Sequence, residues 1–237
     1  MKHKTTDVKH SRSLLIVPLV FIMASACRQS PVVPETLEAD FIRYRIHYLE
    51  EQAGDIPTKL LPATMEAYYT DYYILTRIEG FLNQFSLVQV ADLKLKSVST
   101  LLNFFGNKLY YTGESKELPA GIVPLTFTNL DYKNDTAVFS GLLSHRIEVE
   151  LEDHTRYNIY YTRSIDVRKP NITTPYHSIP HVLTDFRIQL SYLKMNLVCT
   201  DHDHRYIESA EFQIPPDYQP VSKKNMEEII NSLFTKD

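Results

Sequence analysis

The chain has 237 residues, 43% hydrophobic and 23% charged, with six glycines, thirteen prolines and two cysteines. That is long enough to bury a core and excludes collagen-like, disulfide-framework and wholly disordered classes. Its 25 basic and 29 acidic side chains give a net charge of −4 with no dense Lys/Arg stripe, so no nucleic-acid partner is expected, and a mean hydropathy of −0.24 excludes a polytopic membrane protein.

The first segment differs in kind from the rest. Lys2, Lys4, Lys9 and Arg12 precede an apolar run, Leu14 to Met23, that ends in Ala24, Ser25, Ala26 and Cys27. The run is about half the roughly 20 residues a membrane-spanning helix needs and contains Pro18, so it reads as a secretion signal over residues 1–26 rather than an anchor. Removing it takes away four basic side chains and one acidic one, leaving 21 against 28 and a net charge of −7. Residues 27–39, with Pro31 and Pro34, read as a tether.

From Asp40 onward period-two patterns dominate. Ile42, Tyr44, Ile46 and Tyr48 alternate with Arg43, Arg45 and His47, the pattern of a half-buried strand. Further strands are predicted at Met65–Tyr69, Tyr72–Phe81, Phe85–Asp92, Val98–Phe105 and Lys108–Thr112, with turns at Thr70-Asp71 and Gly106-Asn107. Ile147, Val149 and Leu151 mark another strand, followed by a turn at Asp153-His154 and a strand at Tyr157–Thr162. Arg168–Pro180, with three prolines, reads as a long loop. A long ribbon then carries Phe186, Ile188, Leu190 and Tyr192, and its apolar phase slips to Met195, Leu197 and Cys199, implying a bulge or short turn near Leu193-Lys194. Arg205–Ile214 is its expected hairpin partner. After Pro215, Pro216 and Pro220, the apolar residues Met226, Ile229, Ile230, Leu233 and Phe234 recur at helical spacing behind a capping Ser222, predicting an amphipathic helix over 222–234 packed on the sheet. The expected fold is mainly β: one domain over residues 40–237, a curved antiparallel meander sheet forming an incomplete barrel, with this helix as its cap.

Two resemblances follow. Ala24-Ser25-Ala26-Cys27 resembles the lipobox of bacterial lipoproteins, which implies cleavage between Ala26 and Cys27 and attachment of palmitate-type acyl chains to Cys27; an ordinary secretory cleavage after A-x-A is the alternative. The runs Gly141–Glu150, Tyr160-Tyr161-Thr162-Arg163 and Glu211–Tyr218 resemble an uncharacterised lipoprotein family of Bacteroidota. That family commonly has a cysteine shortly after the glycine, where this chain has Leu142, Leu143, Ser144 and His145. The architecture so implied is similar to periplasmic lipoprotein carriers, an incomplete barrel around an apolar cavity with helix over its mouth. Location at the outer membrane, lipid-anchored and facing the periplasm, is the matching expectation, since Arg28-Gln29-Ser30 lacks the acidic cluster of surface-exported lipoproteins.

Little in the chain points to catalysis. There is no G-x-S-x-G elbow, phosphate loop, dinucleotide fingerprint or H-E-x-x-H, so no catalytic residue and no cofactor is assigned. Asp201-His202-Asp203-His204 is the densest constellation: on an extended chain His202 and His204 point the same way and are candidate metal ligands, the alternative being a solvated hairpin tip. Cys199 reads as a small buried hydrophobe. Asp135-Thr136-Ala137 resembles a Bacteroidota O-glycosylation motif in a polar turn, which makes Thr136 a candidate acceptor. Sixteen tyrosines and eleven phenylalanines, many in adjacent pairs, supply a core face and a second face for a ligand cavity or an envelope protein partner. The leading expectation is a non-enzymatic lipoprotein binding an acyl chain or lipopeptide. A structural or accessory lipoprotein and a metal-dependent hydrolase are the alternatives.

Overall fold

In the computed structural model, which describes residues 36–53, 56–80 and 84–234, the alternating segment after the tether becomes the central strand of a large sheet. The leader, the Ala26–Cys27 junction and residues 27–35 of the expected tether lie outside the described residues, while Thr36–Ala39, expected as its end, are strand because they pair with Glu208–Arg205. The central strand, β1 (Thr36–Tyr48), is flanked on one side by β4 (Thr64–Tyr69) and on the other by β13 (Leu193–Glu208). Between β1 and β4 the chain makes an excursion containing a two-residue ladder, β2 (Gln52–Ala53) with β3 (Ile56–Pro57), and a 3-10 turn at Thr58–Leu60.

Outward from β4 runs a meander of β5 (Tyr73–Glu79), β6 (Phe85–Asp92), β7 (Ser97–Phe104) and β8 (Asn107–Glu114). Residues 115–126 then carry the chain to the opposite edge, bridging Leu190 through Ile122. From there β9 (Phe127–Phe139), β10 (Leu142–Leu151), β11 (Arg156–Thr162) and β12 (Val182–Leu190) return to β13. The last segment pairs β14 (Gln219–Pro220) in parallel with β8 and ends in helix α1 (Lys223–Ser232). The result is one curved, open, mostly antiparallel twelve-stranded sheet with a C-terminal helix.

Alternation sorts the side chains onto two faces. Ile42, Tyr44 and Ile46 of β1 belong to the main core on the concave side, while Ala39 belongs to a second cluster with Leu75, Val90, Leu101 and Phe212 on the other side. The concave core is closed by three pieces that are not sheet. Helix α1 contributes Met226 and Ile230, and Phe234 follows its end; residues 115–126 contribute Ala120 and Ile122; the segment between β11 and β12, which includes the Pro-rich loop, contributes Ile165, Ile172, Tyr176 and Ile179. Burying each of these large apolar side chains is worth about 1.5–3 kcal/mol. The helix starts where its sequence says: Ser222 caps it, its hydroxyl accepting from Asn225 N at 3.2 Å. Helix, crossing segment and loop thus pack on the same face of the curved sheet.

Several boundaries differ from expectation for local reasons. The strand expected at Tyr72–Phe81 runs Tyr73–Glu79, since Thr70 folds a turn in which its hydroxyl accepts from Tyr73 N at 2.8 Å. The turn expected at Gly106-Asn107 is centred on Phe105 and Gly106, both at positive φ (50° and 84°). The phase slip after Leu190 is a short turn at Ser191-Tyr192. Arg205–Ile214 is not a returning hairpin strand: β13 continues to Glu208 because it pairs with β1 along its whole length, with Thr200 as the extra residue of a bulge opposite Arg43 and Tyr44. Residues 135–137 are not a turn but lie within β9, whose polar sequence hides its strand character.

Candidate functional site

At one end of the concave face the filling stops short and leaves an apolar cleft of about 220 Å³. It forms where β1 and β5 end, β6 begins and β12 turns into β13, with Tyr48, Ile78, Phe85, Leu193 and Met195 as walls. The excursion between β1 and β4 overhangs one side with Ile56, Leu60 and Pro62, and Leu233 and Phe234 after α1 close another. None of its sixteen described lining residues carries a charge. The Tyr48 hydroxyl is already committed, donating to Pro62 O at 2.7 Å, and burial pushes its pKa well up so that it stays protonated.

The mouth is apolar as well. Leu60 is 71% exposed and Phe105 70%, both lining the cleft. Phe105 occupies a left-handed position in a two-residue turn whose geometry favours Asn-Gly. A bulky residue there costs about 1–2 kcal/mol in backbone conformation, and its ring meets Phe104 edge-on at 4.7 Å. Exposed aromatic surface placed at the rim of an apolar cleft against the local turn preference is the arrangement expected where a ligand supplies the missing contact.

The residues singled out in the sequence fall elsewhere. His202 and His204 sit inside β13 opposite β1, not at a hairpin tip. His202 Nε2 and His204 Nδ1 lie 3.8 and 3.4 Å from the same Asp40 Oδ1. Among the described residues no three His, Cys, Asp or Glu side chains come together in a way that could hold a metal ion. Asp201 and Asp203, on the opposite face of the strand, are taken up by arginines: Arg43 reaches Asp201 at 3.4 Å, and Arg205 reaches Asp201 at 3.7 Å and Asp203 at 3.5 Å while lying 3.6 Å above the buried Phe41 ring. Cys199 is buried, its thiol donating to Asp201 O at 3.7 Å, and burial pushes its pKa up to about 11. Thr136 is exposed on edge strand β9, opposite His145. Cys27 lies outside the described residues.

Most of the paired tyrosines serve packing. Tyr44 donates to Leu183 O at 2.8 Å, leaving Tyr69, pushed up to about 12 by burial, to donate to the Tyr44 oxygen at 3.2 Å. Tyr176 donates to Arg187 O at 2.7 Å and meets Tyr157 at 3.0 Å. Tyr73 stacks on Phe212 at 5.0 Å. The cleft itself was not visible in the sequence, because its walls come from separate stretches of chain. Its only local signals are Leu60 beside Lys59 in the excursion and Phe105 where a turn wants Asn.

No family model matches the chain, and no curated protein matches it. No described helix is long and apolar enough to cross a membrane.

Proposed function

We propose that this chain is a lipid-anchored envelope lipoprotein, without catalysis of its own, that holds an acyl chain in the cleft at the end of its curved sheet. The observation that carries the reading is an uncharged cleft of about 220 Å³ whose mouth is formed by exposed Leu60 and Phe105. An apolar cavity of about 150 Å³ holds benzene, so this volume suits a single chain of about eight to ten carbons by simple scaling. The basic start of the chain and Ala24-Ser25-Ala26-Cys27 support the anchor, and the lack of an acidic cluster at Arg28-Gln29-Ser30 supports outer-membrane, periplasm-facing placement.

Affinity is tested by titrating the purified protein with a fluorescent fatty acid and displacing it with saturated acids of increasing length. Each methylene should tighten binding by about 0.8 kcal/mol, roughly fourfold, until the cleft is full at about ten carbons. Leu60→Ser, at an exposed position, should weaken binding without loss of stability. Absence of uptake, together with no lipid co-purifying in native mass spectrometry, would overturn the reading. Anchoring is tested separately, by labelled palmitate incorporation that Cys27→Ser abolishes.

A further inference from the structure

We infer that the occupant is a single-chain anionic amphiphile, its tail in the apolar cleft and its negatively charged head over Lys59 in an adjoining groove; this rests on the acyl-chain reading of the cleft. The groove measures about 300 Å³ and is lined by His47, Thr58, Lys59 and Ala63 together with Tyr48 and Leu61. Tyr48 and Leu61 also line the cleft, so the two spaces adjoin across these side chains. Consecutive residues of one 3-10 turn serve the two: Lys59 lines the groove, and Leu60 lines the cleft.

The turn is fixed before any ligand arrives. The Thr58 hydroxyl donates to Glu50 O at 3.0 Å and Glu51 O at 3.1 Å, and Thr58 N donates to Glu51 O at 3.0 Å. Lys59 is thus held on a short, anchored segment, which lowers the ordering cost of using it. Several other cations near this end of the sheet have carboxylate partners. Lys194 pairs with Glu50 at 3.8 Å, Lys108 with Asp217 at 2.6 Å, and Arg77 with Glu79 and Glu211. No described carboxylate lies within ion-pair distance of Lys59, the carboxylate of the neighbouring Glu51 included, and among the described residues no acidic side chain lines either space. A cation without a partner, one residue from the lip of an uncharged cleft, selects an anionic head over a neutral or cationic one. The cleft volume selects one tail over two.

The test uses four ten-carbon probes that differ in the head alone: decanoate, decyl phosphate, decanol and decyltrimethylammonium. Binding to the full chain is measured by displacement of a neutral fluorophore at low and high salt. The anionic probes should bind about two- to fivefold tighter than decanol, the range of an exposed ion pair, and the advantage should shrink as salt rises. Lys59→Ala should erase that advantage while leaving decanol unchanged, and Lys59→Glu should move preference to the ammonium. Whichever of the carboxylate and the phosphate binds tighter assigns the head as fatty-acid-like or phospholipid-like. Equal affinity for decanoate and decanol, or an anionic advantage that survives Lys59→Ala, overturns the inference and leaves the cleft reading intact. Binding of none of the four overturns both.

Discussion

Gly121 is where the backbone, the helix and the cleft meet, and replacing it with alanine separates a conformational cost from a packing cost. Its φ is +85°, and a Cβ there would stand 3.0 Å from Leu190 Cδ1 and Ile230 Cδ1. Gly141, in the turn between β9 and β10, has nearly the same φ, +82°, with nothing within 4 Å of its Cβ position. Both substitutions carry the left-handed penalty of about 1–2 kcal/mol. Gly121→Ala adds overpacking, for which about 1–3 kcal/mol is usual. The added part should fall at the lower end, about 1 kcal/mol beyond Gly141→Ala, because Leu190 borders the cleft and has somewhere to move. That relief has a functional signature: a Leu190 side chain displaced into the cleft competes with the ligand. Urea unfolding should therefore rank wild type, Gly141→Ala and Gly121→Ala in falling order of stability at unchanged m-value. Acyl-chain affinity should fall only in Gly121→Ala. Equal stability losses, or equal ligand affinities in the two variants, would refute the packing argument.

Two further outcomes follow from titratable groups. In Cys27→Ser protein, Cys199 is the one thiol left; buried and shifted up to about 11, it should resist a disulfide reagent at pH 8 and label only as urea opens the fold, and labelling within seconds in the native state would contradict its placement. His181 stacks on Tyr161 at 5.2 Å, and its pKa is lowered by burial first, then by Arg163 and His145, against the opposing pull of Asp166. The unfolded imidazole takes up its proton more readily, so this contribution to stability is complete above the ordinary histidine range near pH 6.5 and is lost as pH falls below it. His181→Gln should flatten the stability curve between pH 7.5 and 5.5; an unchanged slope would remove His181 as its source.

How much of this was legible depends on what holds each element. Strand β1 and helix α1 are driven by burial, so Ile42, Tyr44 and Ile46 at period two and Met226, Ile230 and Phe234 at helical spacing announce them. The outer half of β13 is held differently. Opposite β1 it is Asp201, His202, His204 and Tyr206 that meet Arg43, Asp40 and Glu38, so the segment lacks an apolar period and resembles a loop. Strand β9 is concealed for a related reason: the alternation that Leu130 and Tyr132 begin is broken by the polar run Asn134-Asp135-Thr136, and its extended state comes from the ladder with β10. The cleft is least legible of all, since Ile78, Leu193 and Phe234 become neighbours only after the sheet has curved.

An open sheet must also manage two edges, and the way it does so decides where the cleft remains. At β9 the edge is blunted by register shifts near His145 and Glu150 and by the ion pairs of Lys133 with Asp131 and Glu148. At β8 the C-terminal segment serves instead. It lays Phe212 over the second core cluster, ties Asp217 to Lys108 at 2.6 Å and pairs Gln219 and Pro220 with Leu109 and Tyr110. Val221 N then donates to Tyr110 O at 2.9 Å, Lys223 meets Glu117 at 3.0 Å, and α1 packs on β8 within the main core. Leu233 and Phe234, which follow the helix, are cleft walls. The cleft is therefore completed only when this strap has rounded the edge and docked, and a ligand that needs those walls binds the docked state alone. Such a ligand stabilises the fold by RT ln(1 + [L]/Kd), and that stabilisation disappears when Phe234→Ala removes the wall, even under conditions where the remaining sheet stays folded.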